Sequence, residues 1–97
     1  MAEVVRVGFY ELVALIDEQL TAEQRVRNYV SESGTDIGHW SRDSEAAEVR
    51  PSTSTGILLR LFSNGLVIHE RIYAASPMSV PRMVRSITEH LTGYAAY

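Results

Sequence analysis

The chain lacks both lysine and cysteine, and each of its nine basic residues is an arginine. Without lysine it has neither a Schiff-base amine nor a P-loop lysine. Without cysteine it has no disulfide, no thiolate zinc site and no redox-active thiol. An arginine-only composition is typical of a GC-rich genome, as in an actinobacterium or its phage. It also supplies guanidinium groups, which bind carboxylates and phosphates through two parallel hydrogen bonds.

Positive charge is in short supply as well. Nine basic residues stand against twelve acidic residues, which gives a net charge of -3 in a chain of 97 residues. General nucleic-acid binders and polybasic membrane modules need an excess of positive charge, so neither class is expected. The hydrophobic share of 45% is ordinary for a globular protein. The length predicts one small domain at residues 1–97.

A long hydrophobic run is also missing. No apolar stretch approaches the roughly 20 residues that cross a bilayer, which argues against a membrane-spanning helix. Residues 1–6 do not show the basic-then-apolar order of a cleavable signal peptide. We therefore expect a cytoplasmic protein without a membrane partner, or a virion or secreted cargo that is exported without such a signal.

The motifs of catalytic and cofactor sites do not occur either. The chain has three histidines, but they are not spaced as metal ligands and no HExxH pattern is present. None of its serines lies in a GxSxG nucleophile elbow, and there is no GxGxxG phosphate-binding loop. We therefore expect no catalytic residue, no cofactor, no metal ion and no enzymatic activity.

The clearest structural signal that is present is a β-hairpin at residues 57–73. Two runs rich in branched and aromatic residues flank Asn64-Gly65, the dipeptide that most strongly favours a tight type I′ turn. A two-residue turn also sets the register of the strands that it connects. The predicted cross-strand pairs are Phe62 with Val67, Arg60 with His69, and Leu58 with Arg71.

Alternation of side chains divides this hairpin into two faces. The predicted core face is aliphatic, is interrupted only by Glu70, and carries Ile57, Leu59, Leu61, Leu66, Ile68 and Ile72. The predicted outer face mixes apolar, aromatic and basic side chains, and it carries Leu58, Arg60, Phe62, Val67, His69, Arg71 and Tyr73.

The segment before the hairpin is predicted to be helical. Apolar residues recur at helical spacing from residue 9 to residue 20, with Asp17 on the solvent side. Residues 21–24 fit a capping box in which Thr21 is the N-cap of a second short helix that carries Val26, Tyr29 and Val30. One long helix through Thr21 is the alternative. The valines at residues 4–7 favour a short edge strand.

The remaining segments complete the fold. Residues 79–92 predict a helix with an apolar stripe, and Gly93 is its expected C-terminal stop. The chain is therefore expected to form an α+β domain, in which N-terminal and C-terminal helices pack on a small antiparallel sheet built on the 57–73 hairpin. Residues 33–55 are polar. Either a short strand lies near residues 46–50, or the segment is a mobile loop that a partner orders.

The outer face of the hairpin is the candidate functional surface, because it is too apolar for a solvated sheet face and too polar for a core. One interpretation is that the Trp40 loop or the C-terminal tail covers it. Another is contact with a protein, most simply a second copy, since aromatic residues and arginines are typical interface anchors. A third is stacking of single-stranded bases, which the acidic balance disfavours.

These observations predict a non-enzymatic interaction or adaptor protein that self-associates. The alternative is a nucleic-acid-associated regulator, as a nucleoid-associated or RNA-binding protein would be. A salt-sensitive shift with DNA or RNA would favour that alternative.

Part of the chain also resembles known families. Residues 55–59 (Thr-Gly-Ile-Leu-Leu), the Asn64-Gly65 turn and the helix with Ile87 and Leu91 are similar to the YbaB/EbfC-like group of dimeric nucleoid-associated proteins. That group includes small proteins encoded near actinobacterial type VII secretion systems. The resemblance covers residues 55–97 and implies a small dimeric protein. The order of helix, strands and helix also resembles the double-stranded-RNA-binding domain, without its basic residues at the start of the last helix.

Overall fold

The computed structural model describes residues 2–22, 29–33, 37–52 and 56–93. Their five strands form one antiparallel sheet in chain order, and a helix from each end of the chain packs on one face of it, so the predicted α+β fold is confirmed. The elements are α1 (Ala2–Ala22), β1 (Val30–Ser33), β2 (Gly38–Arg42), β3 (Glu45–Pro51), β4 (Gly56–Ser63), β5 (Leu66–Ala74), a short 3-10 helix (Pro77–Ser79) and α2 (Val80–Thr92).

The hairpin of β4 and β5 confirms the predicted turn. Asn64 and Gly65 both have positive φ, at 52° and 81°, as a type I′ turn requires. The Asn64 backbone N–H also donates to the Ser44 carbonyl at 2.9 Å, which joins this turn to the turn between β2 and β3. At the same end of the sheet, α2 ends as predicted at Gly93, whose φ of 71° is left-handed.

Two strands occupy most of the segment that the sequence leaves as a polar loop. β2 and β3 cover residues 38–42 and 45–51, so a strand near residues 46–50 is the correct alternative and a loop is wrong there. These strands form because Trp40, Ala47 and Val49 alternate towards the helices and are fully buried. Three buried side chains therefore stabilise these strands, without the longer apolar run from which a strand is usually predicted.

Three expectations for the N-terminal segment are wrong. Residues 4–7 belong to α1 and not to an edge strand, and Val30, expected in a helix, starts β1. Thr21 lies in the last turn of α1, where its hydroxyl donates to the Asp17 carbonyl at 2.8 Å, so it is not an N-cap. Residues 23–28, which include the rest of the capping box, lie outside the described residues.

A single apolar core fills the space between the helices and the sheet. Gly38 makes room for it, since a Cβ there would lie 2.8 Å from the Trp40 ring and 3.1 Å from Val49. The buried apolar side chains are Phe9, Leu12, Val13, Ile16 and Leu20 from α1, Trp40, Ala47, Val49, Ile57, Leu59, Leu61 and Tyr73 from the sheet, and Val80, Met83, Val84, Ile87 and Leu91 from α2.

Asp17 links α1 to the chain around the first two strands. Its Oδ1 accepts hydrogen bonds from the Trp40 indole N–H at 2.9 Å, the Ser31 hydroxyl at 2.9 Å and the Tyr29 hydroxyl at 3.1 Å. Burial and the neighbouring Asp17 carboxylate raise the pKa of Tyr29 above 10.0, against the opposing effect of its hydrogen bond with Thr21. Asp17 is thus half-buried and structural, not a solvent-side residue.

The register of the hairpin contains a β-bulge next to the turn. Phe62 faces Val67 as predicted, but Leu61, the residue before Phe62, faces His69. Ile68 is therefore an extra residue in β5. The predicted pairs of Arg60 with His69 and Leu58 with Arg71 are therefore wrong, and the observed pairs are Arg60 with Glu70 and Leu58 with Ile72.

The bulge moves the rest of β5 to the opposite face, because side chains alternate along a strand. Tyr73, expected outside, is buried, whereas Ile72, expected in the core, is 61% exposed. Ile68 is half exposed, and Leu66 beside the turn is 71% exposed. The predicted core face is thus correct for Ile57, Leu59 and Leu61 of β4 and wrong for Ile68 and Ile72 of β5. Leu66 lies on the predicted side of the sheet but is exposed and not part of the core.

Removing the acceptor at Asp17 is expected to destabilise the protein. Asp17→Ala leaves the buried Trp40 N–H without a partner and should lower the free energy of unfolding by about 1–3 kcal/mol. Asp17→Asn retains one acceptor oxygen and should cost less. Urea denaturation of both variants measures the difference, and an equal loss in the two would contradict the role of the acceptor.

Two leucines on the side of the hairpin that faces α1 and α2 test how far the core extends along it. Leu61→Ala should lower the free energy of unfolding by about 2–5 kcal/mol, because it empties space in the core. Leu66→Ala makes the same chemical change at an exposed position and should stay within about 0.5 kcal/mol of the wild type. Equal losses in denaturant melts would contradict the different burial of the two leucines.

Candidate functional site

The face of the sheet away from α1 and α2 is the candidate site, and we call it the open face. Its side chains form three rows that run across the strands. One row is Val30, Ser41, Ala46, Phe62 and Val67; the central row is Glu32, His39, Glu48, Arg60 and Glu70; the third is Arg50, Leu58 and Ile72.

Apolar side chains lie on both sides of the charged central row. Phe62 and Leu58 are half-buried among their neighbours, while Val67 is 47% and Ile72 61% exposed. The solvated side of an antiparallel sheet normally carries polar residues at these positions. The open face therefore presents more apolar surface than contact with water favours.

The charges of the open face are paired within the chain. Arg60 Nε donates to Glu70 Oε2 at 2.8 Å, and Arg50 Nε donates to Glu48 Oε1 at 2.9 Å. Glu48 is only 9% exposed, because it lies between His39 on β2 and Arg60 on β4. Each arginine of this face thus has its own carboxylate.

The bulge divides the seven residues that the sequence proposes as an interface. The open face holds Leu58, Arg60, Phe62 and Val67 together, whereas His69, Arg71 and Tyr73 lie on the helix side, paired with Leu61, Leu59 and Ile57. The expectation that all seven share one face is wrong. Sequence reasoning also missed Ile72 and Glu48 as residues of this face. The available signal was Glu70, a charge within an otherwise aliphatic stripe.

The interpretation that the Trp40 loop covers this face is wrong. Trp40 lies in β2, is fully buried and points to the helix side, where it donates to Asp17. The C-terminal tail, the other proposed cover, falls at residues 94–97, outside the described residues.

A polar cluster behind the open face connects α2 to the sheet. The buried His90 donates from Nε2 to the Phe62 carbonyl at 2.6 Å, and the same nitrogen lies 3.2 Å from Glu45 Oε2. Ser63 donates to the other oxygen of Glu45 at 3.0 Å. Here the carboxylate lies between serine and histidine, whereas a hydrolytic triad places histidine beside the serine that it deprotonates. The arrangement therefore anchors the helix and does not activate Ser63.

Among the described residues, no group of three or more histidine, aspartate or glutamate side chains could hold a metal ion. Neither described helix has the combined length and hydropathy needed to span a lipid bilayer. No protein-family model, curated protein or solved structure matches this chain. The resemblance of residues 55–97 to the YbaB/EbfC-like group stays an expectation from the sequence.

Proposed function

We propose that this protein is a non-enzymatic interaction module that self-associates, with the open face of one copy packed on the open face of a second. One observation carries the proposal: both described helices cover one side of the sheet, while Phe62, Val67 and Ile72 lie on the other. A sheet with an apolar face gains stability when another layer covers that face. A second copy is the simplest layer, because a two-fold axis brings the same patch of each copy together.

The ion pairs of the open face favour a partner of this kind. Burying an isolated charge is costly, but Arg60 and Arg50 are already bound to Glu70 and Glu48. A second copy therefore meets no unpaired arginine across the axis. The apolar side chains on both sides of the charged row then supply the contact area.

The size of the face is compatible with a dimer. The strands hold between four and nine residues and average about 22 Å in length, so five of them about 4.8 Å apart present about 500 Å² per copy. Two copies would bury about 1,000 Å² in total, the size of a weak, transient interface. This area predicts a reversible dimer and not an obligate one.

Pairing through the free edge of β5 is less suited to this sheet. The edge is interrupted by the bulge at Ile68 and carries His69, Glu70 and Arg71 in succession. Bulges and charges are the features that hinder edge-to-edge pairing in natural sheets. The open face is therefore the surface that we assign to self-association. An adaptor role and a cytoplasmic location stay predictions from the sequence.

Placing a charge on the open face is expected to dissociate the dimer. Phe62→Glu and Ile72→Glu should each raise the dissociation constant roughly 30-fold, the effect of losing a binding hot spot. Ile72 is 61% exposed, so its variant should fold even if the Phe62 variant does not. Analytical ultracentrifugation measures the association, and circular dichroism checks the fold.

Leu66→Glu is the matched control for these variants. It adds the same charge to the same hairpin, but Leu66 neighbours Val67 along β5 and points to the other side of the sheet. Association should be unchanged. A monomeric wild type at millimolar concentration would overturn the proposal. An equal loss in the Leu66 variant would move the interface to the hairpin edge.

A further inference from the structure

An open surface cleft with a volume of about 440 Å³ lies between β5 and α2, on the helix side of the sheet. We call it the arginine cavity, because three of its six lining residues are arginines. The lining residues are Arg71, Tyr73, Arg82, Arg85, Ser86 and Glu89. The open face is formed by other residues, so this cavity can be tested independently of self-association.

The bulge and the helix together build this cavity. After the extra residue in β5, Arg71 and Tyr73 point to the helix side of the sheet. Four lining residues come from α2. The other three follow Arg82 by three, four and seven positions, so all four share one helix face. Tyr73 is the buried base, with its hydroxyl 3.5 Å from Ser86 Oγ, and the Arg71 guanidinium lies 5.1 Å from the centre of its ring.

Charge in the arginine cavity is not balanced. Arg85 Nε donates to Glu89 Oε1 at 3.3 Å, but within the described chain Arg71 and Arg82 have no carboxylate partner. The cavity thus holds two more positive than negative groups, in a protein whose net charge is -3. This differs from the open face, where each arginine is paired.

The position of Arg82 makes the imbalance more costly. It lies in the first turn of α2, which contains no acidic residue, and the helix dipole disfavours positive charge at this end. Like charges that gather around one cavity also repel each other. Neither cost is offset by an ion pair within the described residues, whereas a bound anion would offset both.

We infer that the arginine cavity binds a small molecule with a phosphate monoester group. Such a group carries a charge of about -1.5 to -2 at neutral pH, which matches the two unpaired guanidinium groups. Guanidinium groups bind phosphate oxygens in a two-pronged manner, and the hydroxyls of Ser86 and Tyr73 can donate to the remaining oxygens. A single carboxylate would neutralise only one arginine. The volume is within the range of about 300–1,000 Å³ for small-molecule sites.

Titration with glycerol 3-phosphate, followed by amide NMR shifts, tests this site. We expect saturable shifts at residues 71–73 and 82–89, and no comparable effect of acetate. Arg82→Gln should lower the affinity about tenfold or more, because it removes a charged donor. Arg82→Lys keeps the charge but loses the two-pronged geometry, and it should bind with intermediate affinity. Arg82 is exposed, so both variants should fold.

Arg50→Gln is the matched control, since it removes an exposed arginine from the open face. Its affinity for glycerol 3-phosphate should equal that of the wild type. An equal loss in this control would show nonspecific attraction and overturn the site. Acetate binding as tight as glycerol 3-phosphate would also overturn it. Affinity that rises with the length of a single-stranded oligonucleotide would replace it with a nucleic-acid backbone site.

Discussion

The extra residue at Ile68 is the constraint on which both proposed surfaces depend. One residue more in β5 than in β4 reverses the face of every later side chain in the strand. Arg71 and Tyr73 consequently point towards α2 and contribute to the arginine cavity, while Glu70 and Ile72 join the open face. A regular hairpin would bury Ile72 against the helices and place Tyr73 in solvent. The bulge therefore removes an aliphatic side chain from the core. It creates a polar cavity on one side of the sheet and an apolar surface on the other.

Contacts elsewhere in the fold attach both helices to the sheet that carries these surfaces. Trp40 fills the core beside Gly38, and its indole N–H reaches Asp17 on α1. At β4, next to the bulge, His90 fixes α2 to the Phe62 carbonyl. Buried polar groups that are fully hydrogen-bonded favour one arrangement of the elements over others. Each helix is thus attached to the sheet by a polar contact as well as by apolar packing.

How much could be predicted depends on how the information is distributed along the chain. The hairpin turn and α2 follow from local signals, since Asn64-Gly65 and the stripe from Val80 to Leu91 each specify one conformation. β2 and β3 are difficult to predict from the sequence, because their burial depends on Trp40 packing against distant helices and not on a local apolar run. The bulge cannot be read from strand propensity, and only Glu70 hints at it. The residues of β4 in the predicted surface therefore do share one face, those of β5 are divided between two, and the arginine cavity, which combines two elements, could not be predicted.

The order of the strands has a consequence for how the chain folds. Each strand pairs only with its neighbours along the sequence, so every step of sheet assembly closes a short loop at a small entropic cost. Proteins dominated by such local pairing fold faster than those that join distant strands. The contacts of α2 with α1 and with β3 are exceptions, because they join segments that lie far apart in the sequence. All five strands precede α2 in the chain, so the part of the helix side that α2 covers can be closed only after the last strand has been synthesised.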